Sequence, residues 1–288
     1  MQIDNALILS AGLGTRMGEI GKFIPKVLWP VYFKTLLELQ IRHCEDLGVK
    51  KIYVNTHFLH EEIVHFLKSQ NLYERVTLLY EDPLLDSGGA IHNLASRGEV
   101  NYQGNLLLVN GDQFLFFNKN YWNQALNKIN NCRAVLFGIK VDKDASYNQT
   151  ILKNDQLVEI KKNSEKDHDY ITYSGLGLLN LNGLKPVKGI SRFFETVADY
   201  QTEKVDFVVP ENFEYWDFGT AENYAQNIFQ LNESVGRKNL MGHFLEKHSA
   251  FKGKDSLFID KEKSAIDLEC RGRFLPNTIQ AKGLIQKI

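Results

Sequence analysis

The sequence is poor in cysteine, has no long apolar run and carries no excess of charge of either sign. Its three cysteines, Cys44, Cys132 and Cys270, are odd in number and widely spaced, which argues against a disulfide framework and a CxxC metal site. No apolar stretch reaches the ~18 residues that would cross a bilayer. The formal net charge is −1, from 34 basic and 35 acidic residues, which gives no electrostatic case for a nucleic acid or a membrane surface as partner.

What the sequence has instead is the composition of an ordinary globular protein. Hydrophobic residues make up 43% and charged residues 24% of the 288 positions, so the chain is long enough and apolar enough to bury a large core. The first residues contain no basic region, and the apolar stretch after them is too short for a signal peptide. We therefore expect a cytoplasmic protein with three free thiols.

Apolar runs alternate with amphipathic segments over the first part of the chain. The pattern predicts strands and then helices as follows: strands at 5–11, 50–56, 75–81 and 105–112, and helices at 35–48, 60–70 and 89–96. Such alternation implies parallel strands joined by right-handed crossovers, and strands that are apolar on both faces fit a sheet covered on both sides. The sequence therefore predicts an α/β fold with a doubly wound, mostly parallel sheet.

The pattern becomes richer in strands after about residue 130. It predicts strands at 133–141 and 170–181, with a hairpin between them that turns at Asn154 and Asp155. Further elements are predicted toward the end: a helix at 190–203, two strands broken at Pro210 and a helix at 221–237. From about Gly242 the periodicity is lost, and the last residues form either a small β appendage or a contact between copies of the chain.

A glycine turn, "SAGLGTR" (10–16), follows the first strand. At the carboxyl end of a strand in an open α/β sheet, such a turn lets backbone N–H groups approach phosphate oxygens. Two familiar phosphate motifs do not fit. The dinucleotide fingerprint would need a glycine where Met17 stands, and a Walker loop would need Ser or Thr where Phe23 follows Lys22.

What remains is G-x-G-T-R, followed about ten residues later by P-K-x-L. Residues 10–17 and 25–28 resemble the signature of the sugar-nucleotide pyrophosphorylases, the nucleotidyltransferases that join an NTP to a sugar 1-phosphate. The resemblance implies a Rossmann-like, GT-A-like fold with a sugar-side β region. It implies that Arg16 and Lys26 hold the triphosphate from opposite sides as catalytic groups. It also implies nucleotide contacts along the turn, at Ala11, Gly12, Gly14 and Thr15.

Two aspartates far apart in sequence are candidate magnesium ligands. Asp112 ends "LLVNGD", at the tip of a predicted strand, so it faces the same crevice as the glycine turn. Magnesium in such a site takes one or two carboxylates together with phosphate oxygens. "WDFGT" (216–220) resembles the segment with which the family closes its site, and that resemblance implies Asp217 as the second ligand. We therefore expect Mg²⁺ as the cofactor.

The assignment of the base site rests on the resemblance alone. "DSGGA" (86–90) resembles a base-binding loop of muramate, heptose and mannose 1-phosphate nucleotidyltransferases. In that loop small residues let a flat base lie on the backbone, which implies a base contact at Gly88. Glu81, Asp86 and Ser87 are the candidate readers of the base edge. An acidic reader favours a base that donates N–H, such as guanine.

The acceptor site is predicted in the same way. "TYSGLGLLN" (172–180) resembles the sugar-side strand of the family, which implies that Gly175 contacts the sugar. The family often shows E-K-P just before that strand, but this sequence has "LVEIKKNSEK" (157–166) there. Glu159 and Lys161, with Lys162, are the acceptor-binding candidates that remain, and this departure leaves the identity of the acceptor open.

The resemblance covers roughly residues 3 to 230. It implies transfer of a nucleotidyl group from an NTP to a sugar 1-phosphate, without a covalent intermediate, as in the synthesis of NDP-sugars for cell-envelope polysaccharides. Two alternatives stay open: a cytidylyltransferase acting on phosphocholine or another phosphomonoester, and a non-catalytic regulatory subunit that binds a nucleotide sugar. We divide the chain into a nucleotide-binding half, an acceptor half and an extension without an assigned role: 1–115, 116–240 and 241–288.

Overall fold

The computed structural model describes residues 2–96, 100–162, 167–234, 239–250, 258–260, 262–269 and 275–288. In the first half of the chain, strands and helices alternate as the sequence predicts. The elements of this half are β1 (Asn5–Leu9), β2 (Pro30–Val31), β3 (Lys34–Thr35), α1 (Leu36–Asp46), β4 (Lys51–Thr56), α2 (His60–Ser69), β5 (Val76–Tyr80), α3 (Asp86–Ser96), β6 (Asn105–Asn110), β7 (Gln113–Phe117) and α4 (Lys119–Lys128).

The second half is richer in strands, also as predicted. Its elements are β8 (Ala134–Val141), β9 (Asn148–Lys153), β10 (Gln156–Lys162), β11 (Tyr170–Asn180), α5 (Phe193–Thr196), β12 (Val205–Val208), β13 (Phe213–Asp217), α6 (Ala221–Ser234), α7 (Leu240–Lys247), β14 (Ile259–Asp260), β15 (Ala265–Asp267), β16 (Thr278–Ala281) and β17 (Leu284–Lys287). Among the described helices, none combines the length and the apolar character that a membrane crossing requires.

A nine-stranded sheet, in the order β5-β4-β1-β6-β11-β8-β12-β10-β9, forms the centre of the molecule. The strands β5, β4, β1 and β6 are mutually parallel, whereas the other half of the sheet mixes parallel and antiparallel pairs. The predicted α/β fold is therefore confirmed. Because β1 lies between β4 and β6, the order of strands reverses at β1, and the crevice at its carboxyl end is the place where such sheets bind ligands.

Helix α1 shows why the local predictions were accurate. The Thr35 hydroxyl accepts a hydrogen bond from the Glu38 amide at 3.2 Å, so the T-x-x-E sequence caps the first turn. Leu37, Ile41 and Cys44 recur at helical spacing and are completely buried in the core between this helix and the sheet. The cap and the apolar stripe are both local signals, and the predicted helix is confirmed.

The predicted helix at 190–203 is wrong except for the single turn of α5. The Ser191 backbone is bonded elsewhere, since its N–H donates to the Leu85 carbonyl and its C=O accepts from the Gly89 amide, both at 3.0 Å. These bonds tie the chain before α5 to the start of α3, and the Ser191 carbonyl is therefore not available to the helical bond that the prediction needs. The sequence also failed to predict β7, α4 and α7 and the short strand pair of β2 and β3.

The C-terminal extension forms a four-stranded sheet, in the order β14-β15-β16-β17, within its described residues. Its side chains Phe258, Ile266 and Ile279 are fully buried in a core that also contains Met17 and Tyr224. The extension therefore packs on the loop after the glycine turn and on α6, and it is the β appendage that was one of the two alternatives.

Two of the three cysteines lie in described parts of the chain. Cys44 and Cys132 are free thiols in buried positions, as expected. Burial raises the pKa of both thiols above the ordinary value for cysteine, so neither is an activated nucleophile. Cys270 lies outside the described residues.

Candidate active site

The glycine turn forms one wall of a cleft of about 910 Å³ at the carboxyl ends of β1, β4 and β6. Gly14 has φ +65°, a backbone conformation that favours glycine, and after it the chain makes a single turn of 3₁₀ helix at Thr15–Met17. Four of the predicted residues from this region line the cleft: Ala11, Gly12, Thr15 and Arg16. Gly14 shapes the turn without lining the cleft.

A chain of buried hydrogen bonds fixes the turn relative to the neighbouring strands. The Ser10 amide donates to the Asn55 side chain at 2.7 Å, and Asn55 donates to the Glu81 carboxylate at 2.8 Å. The other oxygen of Glu81 accepts from the Leu85 amide at 2.9 Å. Glu81 is only 1% exposed, and burial raises the pKa of its carboxyl group. Glu81 therefore positions the loop, and the prediction that it reads a base edge is corrected.

The predicted base loop divides into two parts. Asp86 and Ser87 line the cleft, and the Asp86 carboxylate accepts the Ser87 hydroxyl at 3.1 Å. A Cβ at Gly88 would lie 2.7 Å from the backbone of Ser191 and Arg192. The missing side chain of Gly88 therefore makes room for this protein segment, and the contact of Gly88 with a base stays a prediction.

His57 is a cleft residue that no pattern in the sequence indicates. It follows β4 and lines the cleft, and its Nδ1 lies 2.9 Å from the Glu81 carbonyl oxygen. An acceptor oxygen at that distance implies that Nδ1 carries a proton and donates it to the carbonyl. The ring thus offers a fixed orientation beside the base loop.

Lys26 and Asp112 line the cleft, and Asp217 lies next to Asp112 without lining the cleft itself. The Lys26 ammonium group donates to the Asp112 carboxylate. Strand β13 pairs antiparallel with β7, which sets Asp217 opposite Gln113. The Phe218 amide then donates to the Asp112 carbonyl at 2.9 Å. This strand pair brings the two aspartates side by side.

The two carboxylates face a common space. A Cβ added to Gly219 would lie 2.8 Å from Asp217 Oδ1 and 3.1 Å from Asp112 Oδ2. The described residues contain no cluster of three or more His, Cys, Asp or Glu that could hold a metal ion, so an ion here would complete its shell with water or substrate oxygens. Magnesium prefers such a site, because it takes one or two carboxylates and keeps oxygen ligands from water and phosphate. The donor set fits the predicted cofactor.

A tyrosine that the sequence did not reveal orients Asp217. The Tyr147 hydroxyl donates to Asp217 Oδ2 at 2.7 Å, and the Gly219 amide donates to Oδ1 at 2.8 Å. Burial, together with the Asp217 carboxylate, raises the pKa of Tyr147 above its usual value, so the phenol keeps its proton at neutral pH. Tyr147 lies in a polar loop between β8 and β9, where no local pattern distinguishes it.

A side pocket of about 360 Å³ opens next to the cleft and shares Leu9, Asp86, Ser87 and Asn110 with it. Half of its remaining wall residues are aromatic, namely Tyr173, Phe193 and Phe194. The others are Leu108 and the ion pair of Arg192 with Glu195 at 3.1 Å. Gly175 has φ +83°, and a Cβ there would overlap the side chains of Asn110 and Gln113, both of which line the cleft. Gly175 is thus placed near the junction of cleft and pocket.

Glu159 and Lys161 are not brought to the cleft or to the side pocket. Both are exposed on β10, which lies next to the edge strand β9 of the sheet. Lys161 is paired with Gln149, two residues after Tyr147, so it lies at the Tyr147 end of that hairpin. Arg192 and Glu195 lie beside the cleft, in the side pocket, where the sequence analysis had placed Glu159 and Lys161.

Comparison with known sequences is consistent with this geometry. A protein of Sulfolobus acidocaldarius named as a mannose-1-phosphate guanyltransferase is 22% identical over 189 residues, covering 65% of this chain and 51% of the relative. D-glycero-alpha-D-manno-heptose 1-phosphate guanylyltransferase of Campylobacter jejuni is 30% identical over 109 residues, covering 38% of this chain and 48% of the relative. The chain thus spans about half the length of these curated relatives.

Solved structures and a family model complete the comparison. HddC from Yersinia pseudotuberculosis, solved in complex with GMP-PN, superposes with a TM-score of 0.66 at 21% identity, covering 80% of this chain and all of that one. Residues 5–171 match the family model described as "Nucleotidyl transferase", and this range contains the glycine turn, Lys26 and Asp112. Because the match includes more than half of the chain, the protein belongs to the nucleotidyl transferase family.

Proposed function

We propose that the protein transfers a nucleotidyl group from an NTP to a sugar 1-phosphate, with Mg²⁺ as cofactor, and releases pyrophosphate. The observation that carries this proposal is the meeting of Lys26, Asp112 and Asp217 beside the glycine turn. Membership of the nucleotidyl transferase family supports the reaction type. The two relatives named as guanylyltransferases of mannose and heptose 1-phosphate support the acceptor class.

The triphosphate would lie along the glycine turn, where backbone N–H groups and two cations neutralise its charge. Arg16 is exposed on the cleft wall, and Lys26 lies deeper, bonded to Asp112. Asp112 and Asp217 would hold Mg²⁺, which when bound supplies positive charge to the phosphates of the NTP. Tyr147 and the Gly219 amide keep the Asp217 carboxylate in a fixed orientation.

The chemistry needs no nucleophile from the protein. A phosphate oxygen of the acceptor attacks the α-phosphorus, and the bond from that phosphorus to the bridging oxygen breaks. The electron pair of that bond leaves with pyrophosphate, and a new P–O–P linkage joins nucleotide and sugar. The described thiols, Cys44 and Cys132, are buried away from the cleft, which is consistent with direct transfer. The protein would accelerate the reaction by positioning the two substrates and by neutralising the charge of their phosphates.

Asp86 and His57 are our candidates for reading the base. Asp86 lines the cleft and presents an acceptor carboxylate, which suits a base that donates N–H groups. Guanine is such a base, and both reported relatives are named as guanylyltransferases. We therefore propose GTP as the preferred donor.

The side pocket is our candidate for the acceptor. Arg192 at its rim provides a cation for the acceptor phosphate, and Glu195 and Asn110 provide partners for hydroxyl groups. A second candidate function also rests on this pocket. Its three aromatic side chains, Tyr173, Phe193 and Phe194, would suit a quaternary ammonium group, which favours phosphocholine with CTP as the alternative pair.

A pyrophosphate-release assay tests both candidates. The four NTPs are each paired with mannose, heptose and glucose 1-phosphates and with phosphocholine, in magnesium and then in EDTA. We expect release with GTP and a sugar 1-phosphate, and none in EDTA. Release only with CTP and phosphocholine would establish the second function. A protein that binds GTP but releases no pyrophosphate with any acceptor would be the non-catalytic regulatory subunit.

A further inference from the structure

The two cations of the cleft stand at the two ends of one loop. Arg16 begins it and Lys26 ends it, and the residues between them belong to no strand of the sheets. The loop consists of short 3₁₀ turns closed by local bonds, such as the Met17 amide to the Gly14 carbonyl at 2.9 Å. Local bonds of this kind do not by themselves set the distance between the two cations.

The C-terminal hairpin, β16 with β17, contacts this loop at two points. The Gln286 side-chain oxygen accepts a hydrogen bond from the Ile20 amide at 3.3 Å. The Lys282 ammonium group donates to the Phe23 carbonyl at 3.2 Å and lies 3.8 Å from the Glu62 carboxylate. Both contacts are made to backbone groups of the loop, so they constrain the path of the chain whatever its side chains are.

The packing around Gln286 is close. Gly18 has φ +68°, and a Cβ there would lie 2.6 Å from the carboxamide carbon of Gln286. Met17 and Ile20 are completely buried in the core that they share with Ile279 and Ala281 of β16. The loop thus packs Met17 and Ile20 against the C-terminal sheet, while Arg16 lines the cleft.

We infer that the C-terminal hairpin is a positioning element of the triphosphate site, with Gln286 and Lys282 holding the loop so that Arg16 and Lys26 converge. The expected effect of the hairpin on catalysis rests on the proposed function. Its structural part, that the hairpin holds the loop in place, does not depend on the reaction. The extension that the sequence left without a role is therefore assigned to the nucleotide site.

The test compares Gln286→Ala with Lys287→Ala, a matched control on the next residue of β17, whose side chain is exposed. KM for the NTP, KM for the acceptor and kcat are measured separately, with thermal melting as a check of the global fold. We expect Gln286→Ala to raise the NTP KM about 3- to 10-fold, because one backbone hydrogen bond of the loop is lost, and to leave the acceptor KM within about 2-fold. Lys287→Ala should match the wild type.

Limited proteolysis supplies a readout that does not need activity. Lys22 is an exposed trypsin site within the loop. We expect Gln286→Ala and Lys282→Ala to speed cleavage after Lys22 about 5-fold or more, and the NTP to restore part of the protection. If the wild type releases no pyrophosphate, the proposed function fails, while the cleavage rates still decide the inference. Equal rates for Gln286→Ala and Lys287→Ala, or an equal rise in both KM values, would overturn it.

Discussion

Asp112 and Asp217 are each fixed by a different partner. The Lys26 ammonium group bonds Asp112, whereas Asp217 accepts from the Tyr147 hydroxyl and from the Gly219 amide. Charge-assisted hydrogen bonds of this kind are among the stronger contacts in proteins. The carboxylates therefore keep their orientation toward the common space beside Gly219. Because their partners differ, substitutions at Asp112 and at the partner of Asp217 test the two carboxylates separately.

Asp112→Asn should lower turnover at least ~100-fold, because it removes a charge from the proposed magnesium site while keeping the shape of the side chain. Binding of the NTP in EDTA should stay within about 2-fold, since that binding depends on the glycine turn and Arg16. Steady-state kinetics and calorimetry check the two parts. Asp4→Asn, at an exposed carboxylate paired with Lys50 far from the cleft, is the control. Unchanged turnover in Asp112→Asn would remove Asp112 from the mechanism.

Tyr147→Phe keeps the ring but loses the hydrogen bond to Asp217. Hydrogen bonds to a charged group contribute about 1.5–3 kcal/mol, so we expect a fall in turnover of about 10-fold and a higher magnesium requirement. A magnesium titration of the initial rate measures both. Tyr121→Phe is the matched control, because its hydroxyl accepts from the exposed Glu211 amide. A normal magnesium requirement in Tyr147→Phe would show that Tyr147 does not orient the metal ligand.

At the scale of single elements, the β9–β10 hairpin follows the predicted turn. Asn154 and Asp155 have φ of +52° and +63°, which is the two-residue type I′ geometry that matches the twist of the strands. Asp155 also pairs with Lys128 at 2.9 Å, although its side chain is largely exposed. The turn therefore combines backbone strain at Asp155 with a weak surface ion pair.

Asp155→Gly and Asp155→Ala both remove the ion pair, but only glycine relieves the strain of positive φ. We expect the glycine variant to be about 1 kcal/mol more stable toward unfolding than the alanine variant, and at least as stable as the wild type. Urea denaturation of the three proteins measures the order. Equal stability of the two variants would mean that the turn carries no backbone strain at this position.

Helix α1 carries a buried histidine whose protonation is unfavourable in the folded state. Burial is the main cause that lowers the pKa of His43 to about 4; Asp46 opposes this shift, and the nearby His248 contributes to it. His43 packs against Phe114, Phe116 and Phe244, with ring centroids 5.1–6.0 Å away. Because the unfolded chain binds this proton at a higher pH than the folded one, stability is present above pH ~6.5 and is lost as the pH falls toward 4.

His43→Leu removes the titrating group, and its stability is compared with that of the wild type. Between about pH 7.5 and about pH 5 the wild type should lose roughly 2 kcal/mol more unfolding free energy than the variant. Urea denaturation at the two pH values gives both differences. His243→Gln, at an exposed position on α7, should keep the pH dependence of the wild type. The same pH dependence in His43→Leu would assign the loss of stability to other groups.

At the scale of the whole molecule, the C-terminal extension shares a core with the rest of the chain. Met241 and Leu245 of α7 and Phe258, Ile266 and Ile279 of the C-terminal sheet are all buried in it, beside Phe218, which follows Asp217 directly. The boundary that the sequence suggested near residue 240 therefore crosses a continuous apolar core. We therefore expect the stability of residues 1–240 to depend on the extension.

A chain that ends at residue 240 should melt at least ~10 °C below the full chain. Each large apolar side chain that loses its burial costs about 1.5–3 kcal/mol, and in a protein of this size 1 kcal/mol shifts Tm by about 2–4 °C. Differential scanning calorimetry makes the comparison. A truncated protein that melts cooperatively within a few degrees of the full chain would show that the extension is an independent appendage.

Much of the fold was predictable because its signals are local. The apolar runs of β1 and β6, the cap and stripe of α1, and the Asn154–Asp155 turn each depend on residues close together in sequence. The missed strand β7 follows β6 after only two residues, and the predicted helix at 190–203 does not begin before α5 because the Ser191 backbone bonds to Leu85 and Gly89. Those errors came from tertiary bonds that no local period encodes.

The sequence by itself determined the first strand and the glycine turn after it, and it identified the two cations and the two aspartates as candidate site residues. Residue type and short spacing are sufficient for these predictions. Only the tertiary structure decided that β13 sets Asp217 beside Asp112, that Glu81 is buried under the base loop, and that Ser191 and Arg192 fill the space at Gly88. It also decided that Gln286 reaches the loop of Arg16. The reason is that these contacts join segments far apart in the chain, and they form only when the pairing of strands and the packing of the cores bring the segments together.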